Sequence, residues 1–194
     1  TAKRLGCVVS AFDVRPEVED QVKSLGAKFI KVEENENRIE NNSVYAKEMS
    51  AEYQLKQKTK IHECAKDMDI IISTAMIPGK KAPILIERKT LQHMKLGSVI
   101  IDSAGASGGN TEGGKFGQEV IVEKVIINSP TNLPSLVAFD ASSLYSKNIL
   151  NFISTFMKEN NIFDINSDDE LLTKSIIIKD GKKTENFFDG EKNA

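Results

Sequence analysis

The sequence predicts an α/β domain built on a doubly wound parallel sheet. Three observations carry that prediction. Short β-branched runs recur along the chain, as in Ile70-Ile71-Ile72 and Val99-Ile100-Ile101. Segments with a helical spacing of apolar residues lie between them. Glycine, proline or an acid closes most of these runs. Strand and helix alternating at this interval favour right-handed βαβ units over an all-β or all-α architecture.

The elements follow in order. Thr1 to Gly6 reads as the last turns of a helix stopped by glycine. With no initiator Met, the chain is expected to be a fragment of a longer one. Cys7 to Val14 is expected to be a buried strand. Pro16 suits a first helical position, and Glu17 to Leu25 is a helix with Val18, Val22 and Leu25 on one face, ended by Gly26. Lys28 to Val32 is a short strand. Glu33 to Asn42 is polar, acidic and aperiodic, which predicts a solvated loop, mobile until something orders it. Tyr45 to Met68 is mostly helical, anchored by Tyr53, Leu55, Ile61 and Ala65. Asp69 to Thr74 is a strand, and Pro78-Gly79 breaks the chain after it. Ala82 to Met94 reads as a helix and Ser98 to Asp102 as a buried strand. The glycines from Gly105 to Gly117 suggest a flexible loop. Glu119 to Asn128 holds one or two strands. Leu144 to Lys158 is an amphipathic helix, with Ile149, Phe152, Ile153 and Phe156 on one face. Leu171 to Lys179 resembles one strand of a terminal hairpin turning at Asp180-Gly181. The expected organisation is a nucleotide-binding domain over 1–143, a helix over 144–160 that returns to a second lobe, and a polar tail over 161–194.

Composition removes several function classes. The 194 residues carry 26 basic and 28 acidic side chains, a net charge of −2. A nucleic-acid partner usually demands a basic excess or patch, so none is expected. No apolar run approaches the roughly 20 residues of a membrane-spanning helix. Two cysteines make no disulfide framework, and two histidines are too few for most zinc sites. Cys7 and Cys64 read as small core residues. His62 and His93 lie on helices without a ligand cluster. Ser103 and Ser107 lack a histidine and acid to activate them. Lys80-Lys81, beside Pro78-Gly79, could attract phosphate, but an ordinary basic turn is the better reading.

In parallel α/β sheets ligands bind beyond the carboxyl ends of the strands. Those ends read as Asp13-Val14-Arg15, Thr74-Ala75-Met76, Asp102-Ser103-Ala104 and Asn128-Ser129. Asp13 is the most informative. An acid closing the second strand of a Rossmann-type sheet accepts hydrogen bonds from the adenosine ribose and repels a 2′-phosphate, favouring NAD over NADP. The plainer reading is an acid that caps the next helix. Arg15 could instead tolerate a 2′-phosphate, stack on adenine or pair with the pyrophosphate. A dinucleotide fold also needs a glycine-rich turn roughly 20 residues before that acid. Twelve residues precede Asp13. The first strand and glycine turn are therefore expected upstream of Thr1, and this chain alone is expected to form no complete dinucleotide site.

The segments AFDVRPEVEDQVKSLGAKF, VYAKEMSAEY, ISTAMIPGKKAPILI, GSVIIDSAGASGGN, TNLPS and LYSKNILNF stand in a recognisable order and spacing. Together they resemble proton-translocating NAD(P) transhydrogenases, in the peripheral NAD(H)-binding domain I, over about residues 1–158. Alanine dehydrogenases are similar in fold. The resemblance implies a Rossmann-type fold and NAD(H) on this chain. It also implies NADP(H) on a partner domain, a membrane domain in the same enzyme, and a homodimer. Residue by residue, it implies that Asp13, Val14 and Arg15 bind the adenosine side. Tyr45, Ala46 and Met49 belong to a loop that closes over nucleotide. Thr74, Ala75 and Met76 line the nucleotide, and Asn132, Leu133 and Pro134 lie near the nicotinamide. Val44 and the GGKFGQ stretch depart from the family pattern. Alanine dehydrogenases carry a catalytic aspartate before the paired glycines. Aligning on Gly108-Gly109 puts Ala106 there, which offers no proton acceptor. Two other readings stand beside transhydrogenase: an alanine-dehydrogenase-like amino-acid dehydrogenase, and a non-catalytic nucleotide-binding or oligomerisation fragment.

Overall fold

The computed structural model describes residues 1–15, 17–32, 51–77, 79–158, 162–164 and 169–184, with 51 and 52 by backbone alone. The expectations placed on Pro16, on the acidic loop, on the loop bearing Tyr45, Ala46 and Met49, and on Pro78 lie outside them. The chain forms two compact units, Thr1–Thr131 and Asn132–Ala194.

In the first unit, a 3₁₀ turn over Ala2–Leu5 ends at Gly6 with φ 85°, a left-handed stop. Strand β1 (Ser10–Ala11) pairs in parallel with β2 (Lys28–Phe29) across helix α1 (Val18–Ser24). Helix α2 (Ala51–Ala65) leads to β3 (Ile70–Ser73), helix α3 (Arg88–His93) to β4 (Val99–Asp102), and a hairpin follows, β5 (Glu119–Val122) and β6 (Val125–Asn128). The larger sheet has the order β3-β4-β6-β5. The pairs β3–β4 and β4–β6 are parallel, and β5 is antiparallel to β6. The parallel sheet expected from the sequence thus carries one antiparallel strand at this edge. Only Glu123-Lys124 joins β5 to β6, and so short a connection can only reverse the chain.

The larger sheet has two unlike faces. Ile71, Ile100, Val125, Ile127, Val120 and Val122 form the core with Ile61, Ala65, Leu85, Ile86, Leu91 and Met94. On the opposite face, Ile70, Ile72 and Ile121 are exposed, Ile72 by 69%. Among the described residues β3 pairs only with β4, and β1 only with β2. The strand expected to be buried over Cys7–Val14 is corrected: it is regular only at Ser10–Ala11, Cys7 is exposed, and Val8 is 96% exposed. Its residues are of the right type for a central strand, but among the described residues only β2 pairs with it, and residues 9–14 are half-buried.

Other elements also shift. Leu25 and Leu55 lie exposed, outside the apolar anchoring assigned to them. Cys64 is half-exposed. Residues 82–87 form no helix, so the expected helix over Ala82–Met94 shrinks to α3. Pro83 supplies no N–H and biases Ala82 away from helix. The next residues pair elsewhere, Leu85 and Ile86 both donating N–H to the Asn110 carbonyl.

In the second unit, a 3₁₀ turn (Leu133–Val137) runs into helix α4 (Ala138–Thr155), which starts earlier than its amphipathic stretch suggested. Helix α5 (Glu170–Ser175) replaces the first half of the expected strand. Asp169 starts it by accepting the Leu171 N–H at 2.8 Å. The hairpin turn at Asp180-Gly181 is where the sequence put it, between β7 (Ile178–Lys179) and β8 (Lys182–Lys183).

Helices α2 and α3 meet through the two histidines of the chain. The His62 and His93 rings lie edge to face with centroids 5.3 Å apart, and His62 Nδ1 lies 2.9 Å from Thr90 Oγ1. Desolvation holds His62 below its ordinary pKa, reinforced by His93, Lys66 and Lys89 and opposed by Glu63. The unfolded chain therefore protonates first. Stability should be whole above about pH 6.5 and fall as pH drops toward the folded value. Glu87 titrates in another window: its ion pairs with Lys58 and Lys89 bring it to about 2, so its contribution is lost only below the ordinary glutamate range. Urea midpoints between pH 7.5 and 5.5 should decline in the parent and decline less in His62→Gln. Equal slopes would remove His62 as the cause.

Candidate nucleotide site

Asp13 follows β1 and is clamped by its own neighbour. Arg15 donates its backbone N–H and Nε–H to Asp13 Oδ1 at 2.9 and 3.0 Å, and Nη2–H to Oδ2 at 2.9 Å. The hydrogen bonds from Arg15 outweigh partial burial and lower the Asp13 pKa, so the group is a carboxylate at neutral pH. Its side chain is 26% exposed. Oδ1 already accepts two hydrogen bonds and Oδ2 one, which leaves Oδ2 an open acceptor position of the kind a ribose hydroxyl would fill. Val14 is half-buried beside it.

Past β3 the chain is shaped by Asn110. Its Oδ1 accepts from Ser73 Oγ at 2.7 Å and from the Ala75 N–H at 3.0 Å. Its Nδ2 donates to the Ala75 and Pro83 carbonyls at 2.8 and 2.9 Å. All four hydrogen-bonding positions of the amide are filled. Both backbone polar groups of Ala75 are bonded to Asn110, which fixes the chain at this point. Thr74 and Met76, on either side, are exposed.

Past β4 the glycine segment is fastened from below. Asp102 is 1% exposed. Its Oδ1 accepts the Ala104 N–H at 3.1 Å, and its Oδ2 accepts those of Asn110 and Thr111 at 2.7 and 2.9 Å. Its main-chain carbonyl accepts Ser129 Oγ–H at 3.0 Å, tying β4 to the end of β6. A Cβ on Gly105 would fall 1.9 Å from Ser129 Oγ, so only glycine admits this close approach. The flexible loop expected from the glycines is thus corrected for residues 104–111. Here glycine provides backbone conformation and clearance, and the loop is pinned. Ala106 stands exposed on its outer side.

Asn132 and Leu133 open the second unit. Asn132 Oδ1 accepts the Ser135 N–H at 3.2 Å and caps the 3₁₀ turn, and Leu133 is 40% exposed. Of the residues singled out in the sequence, the structure joins Thr74–Met76 to the glycine loop through Asn110, and Asp13 to Arg15. It joins neither set to the other by a hydrogen bond among the described residues. Sequence reasoning placed Asp102 and Ser129 at strand ends without giving them a fastening role, and passed over Asn110. The available signal was an acid ending a strand, with Asn110 directly after Gly108-Gly109. Among the described residues no three histidine, cysteine or acidic side chains gather to hold a metal.

Asp13 offers a partly exposed carboxylate just beyond β1. A pyrophosphate cradle preceding Asp13 is not found among the described residues. The comparisons agree with a dinucleotide fold. The chain is 44% identical over 182 residues to an NAD(P) transhydrogenase alpha-subunit polypeptide of Rickettsia prowazekii, covering 94% of this chain and 46% of that one. It matches a solved structure described as transhydrogenase from Sinorhizobium meliloti at 42% identity and TM-score 0.68, over 89% of this chain and 44% of the other. A solved L-alanine dehydrogenase shares the fold at TM-score 0.58 and 22% identity, over 78% of this chain and 37% of that one. The chain thus spans about half the length of the relatives it matches. The family description "Alanine dehydrogenase/PNT, C-terminal domain" matches residues 1–186. With a Rossmann-like α/β sheet and that match over nearly its whole length, the chain belongs to the alanine dehydrogenase/PNT family, in its C-terminal domain.

Proposed function

We propose that this chain is the NAD(H)-binding part of a proton-translocating transhydrogenase. In that enzyme hydride would pass between NADH here and NADP⁺ held on a separate domain, coupled to proton movement across a membrane. The observation that carries the reading is the 44% identity with a transhydrogenase alpha subunit over nearly the whole chain. Bound NAD(H) would supply the hydride chemistry. The chain's own residues would bind and orient it: Asp13 at the adenosine ribose, Val14 and Arg15 beside it, and Thr74, Ala75 and Met76 along the strand end. Tyr45, Ala46 and Met49 would close over it, and Asn132 and Leu133 would lie at the nicotinamide end. Residues 1–143 would form the nucleotide domain, 144–160 the helix to a second lobe, and 161–194 a tail.

Ala106 favours this reading over an amino-acid dehydrogenase. Oxidising an amine or reducing an imine moves a proton as well as a hydride, and needs an acid–base group by the substrate. Direct transfer between two nicotinamides needs only apposition and orientation. The edges of β1 and β3 left unpaired among the described residues, with the open face at Ile70 and Ile72, support completion of the sheet by a further strand carrying the phosphate-binding turn. Membrane attachment would come through a partner: among the described residues no helix is long and apolar enough to cross a membrane. A homodimer is part of the same proposal.

The test uses the full-length natural protein with its NADP(H)-binding partner. Hydride exchange between NADH and an NADP⁺ analogue is expected, and alanine with NAD⁺ should give no turnover. Alanine oxidation without nucleotide exchange would reverse the assignment. The 194-residue chain by itself is expected to show neither.

A further inference from the structure

The lysines following Gly79 take no part in the site described so far. Lys81 is exposed. Its methylenes lie flat across Gly108: a Cβ there would sit 3.0 Å from both Cγ and Cε of the lysine. Gly108, at φ 101°, leaves that surface clear. The backbone is fixed at the same place, since the next residue, Ala82, donates its N–H to the Ser107 carbonyl at 2.7 Å. The loop beneath is itself held by Asp102 and Asn110. Lys81 is thus laid along a rigid ledge beyond the carboxyl end of β4. Its ammonium has no ion-pair or hydrogen-bond partner among the described residues. Asp102, the carboxylate beneath the loop, directs its oxygens to backbone N–H groups.

A lysine usually keeps many rotamers, and an exposed one gains little from a fixed stem. Here the stem is seated on glycine while the head has no counter-charge among the described residues. A compact ammonium at the strand ends of a Rossmann-like sheet matches a phosphate group, which lysine binds as a point charge. We propose that Lys81 is a phosphate-contacting residue of this site, its ammonium held over Gly108 to meet a phosphate of a dinucleotide. The identity of that ligand rests on the reading above. The phosphate is either in the pyrophosphate of the nucleotide bound by this chain or on the nucleotide presented by the partner domain.

The experiment compares the parent, Lys81→Ala and Lys81→Arg in the full-length natural protein, at low and high salt. Lys81→Ala should weaken NADH binding about five- to tenfold at low salt and by less at high salt, while Lys81→Arg stays near the parent. If NADH affinity holds but hydride exchange with the NADP(H)-loaded partner falls by that factor and returns with arginine, the phosphate is the partner nucleotide's. If Lys81→Ala matches the parent in both, the proposal is overturned. A third arm follows the Gly108 amide resonance during titration with inorganic pyrophosphate. A shift in the parent that is lost in Lys81→Ala supports the phosphate site even if the parent takes no NADH, in which case only the dinucleotide reading fails. No shift in a parent that takes no NADH overturns Lys81 as well.

Discussion

Asp102→Ala should lower the unfolding free energy by about 3–5 kcal/mol, among the larger effects open to a single side chain in this fold. The carboxylate is buried and accepts three backbone N–H groups, from Ala104, Asn110 and Thr111. Truncation strands all three donors away from water. Each buried unpaired donor costs about 1–3 kcal/mol, with local relaxation recovering part of the sum. Asp102→Asn separates shape from chemistry. It keeps the volume but can turn an amide NH₂ toward the N–H groups of Asn110 and Thr111, setting donor against donor. It should therefore be nearly as harmful as alanine. Urea denaturation at neutral pH measures both. Hydrogen exchange adds a local readout, because the amides of Asn110 and Thr111 should lose protection before those of β6. A change under about 0.5 kcal/mol for either variant, the usual range for an ordinary surface position, would show that the loop is held by something else.

How far the sequence could be read depended on whether the deciding interaction was local. Strand β4 was placed within a residue, because a β-branched run between Gly97 and Asp102 has few alternatives. The turn at Asp180-Gly181 was equally plain, since both residues take positive φ, where glycine and aspartate are at home. The helix over Ala82–Met94 failed for a non-local reason: an apolar period was present, but the backbone at Leu85 and Ile86 found the Asn110 carbonyl. Cys7–Val14 failed because burial depends on neighbours, and among the described residues β1 has only β2. The site divided the same way. The place of Asp13, after a strand and ahead of a helix, was visible locally. Asn110 was not, because its partners Ser73, Ala75 and Pro83 lie 37, 35 and 27 residues away. The glycine loop misled for a related reason. Composition alone does not tell glycines that permit motion from glycines that permit close packing, and the contact of Gly105 with Ser129 belongs to the second kind.

Nucleotide choice should turn on Asp13 and on the arginine that holds it. Asp13→Ala should weaken NADH binding in the full-length natural protein by about 1–3 kcal/mol, the scale for removing one partner of a charge-assisted hydrogen bond. It should also narrow the preference over NADPH, because the carboxylate is what a 2′-phosphate would meet. The structure adds a refinement that the bare sequence left open. Arg15 grips both oxygens of Asp13, so the negative charge facing a 2′-phosphate is partly compensated. The pair is substantially exposed, at 43% for Arg15, and solvent screening keeps its own contribution to stability small. Its effect should appear in selectivity instead. Arg15→Ala should leave the fold intact, free the carboxylate, and widen the preference for NADH over NADPH. Asp13 and Arg15 would then move the NADH-to-NADPH ratio in opposite directions, an outcome that general loss of structure would not produce. Fluorescence titration with both nucleotides measures that ratio. Equal NADH affinity in Asp13→Ala and the parent would take Asp13 out of the site. A ratio falling in both variants would mean that Arg15 acts by orienting Asp13 toward the ribose, with its charge of little consequence for the choice.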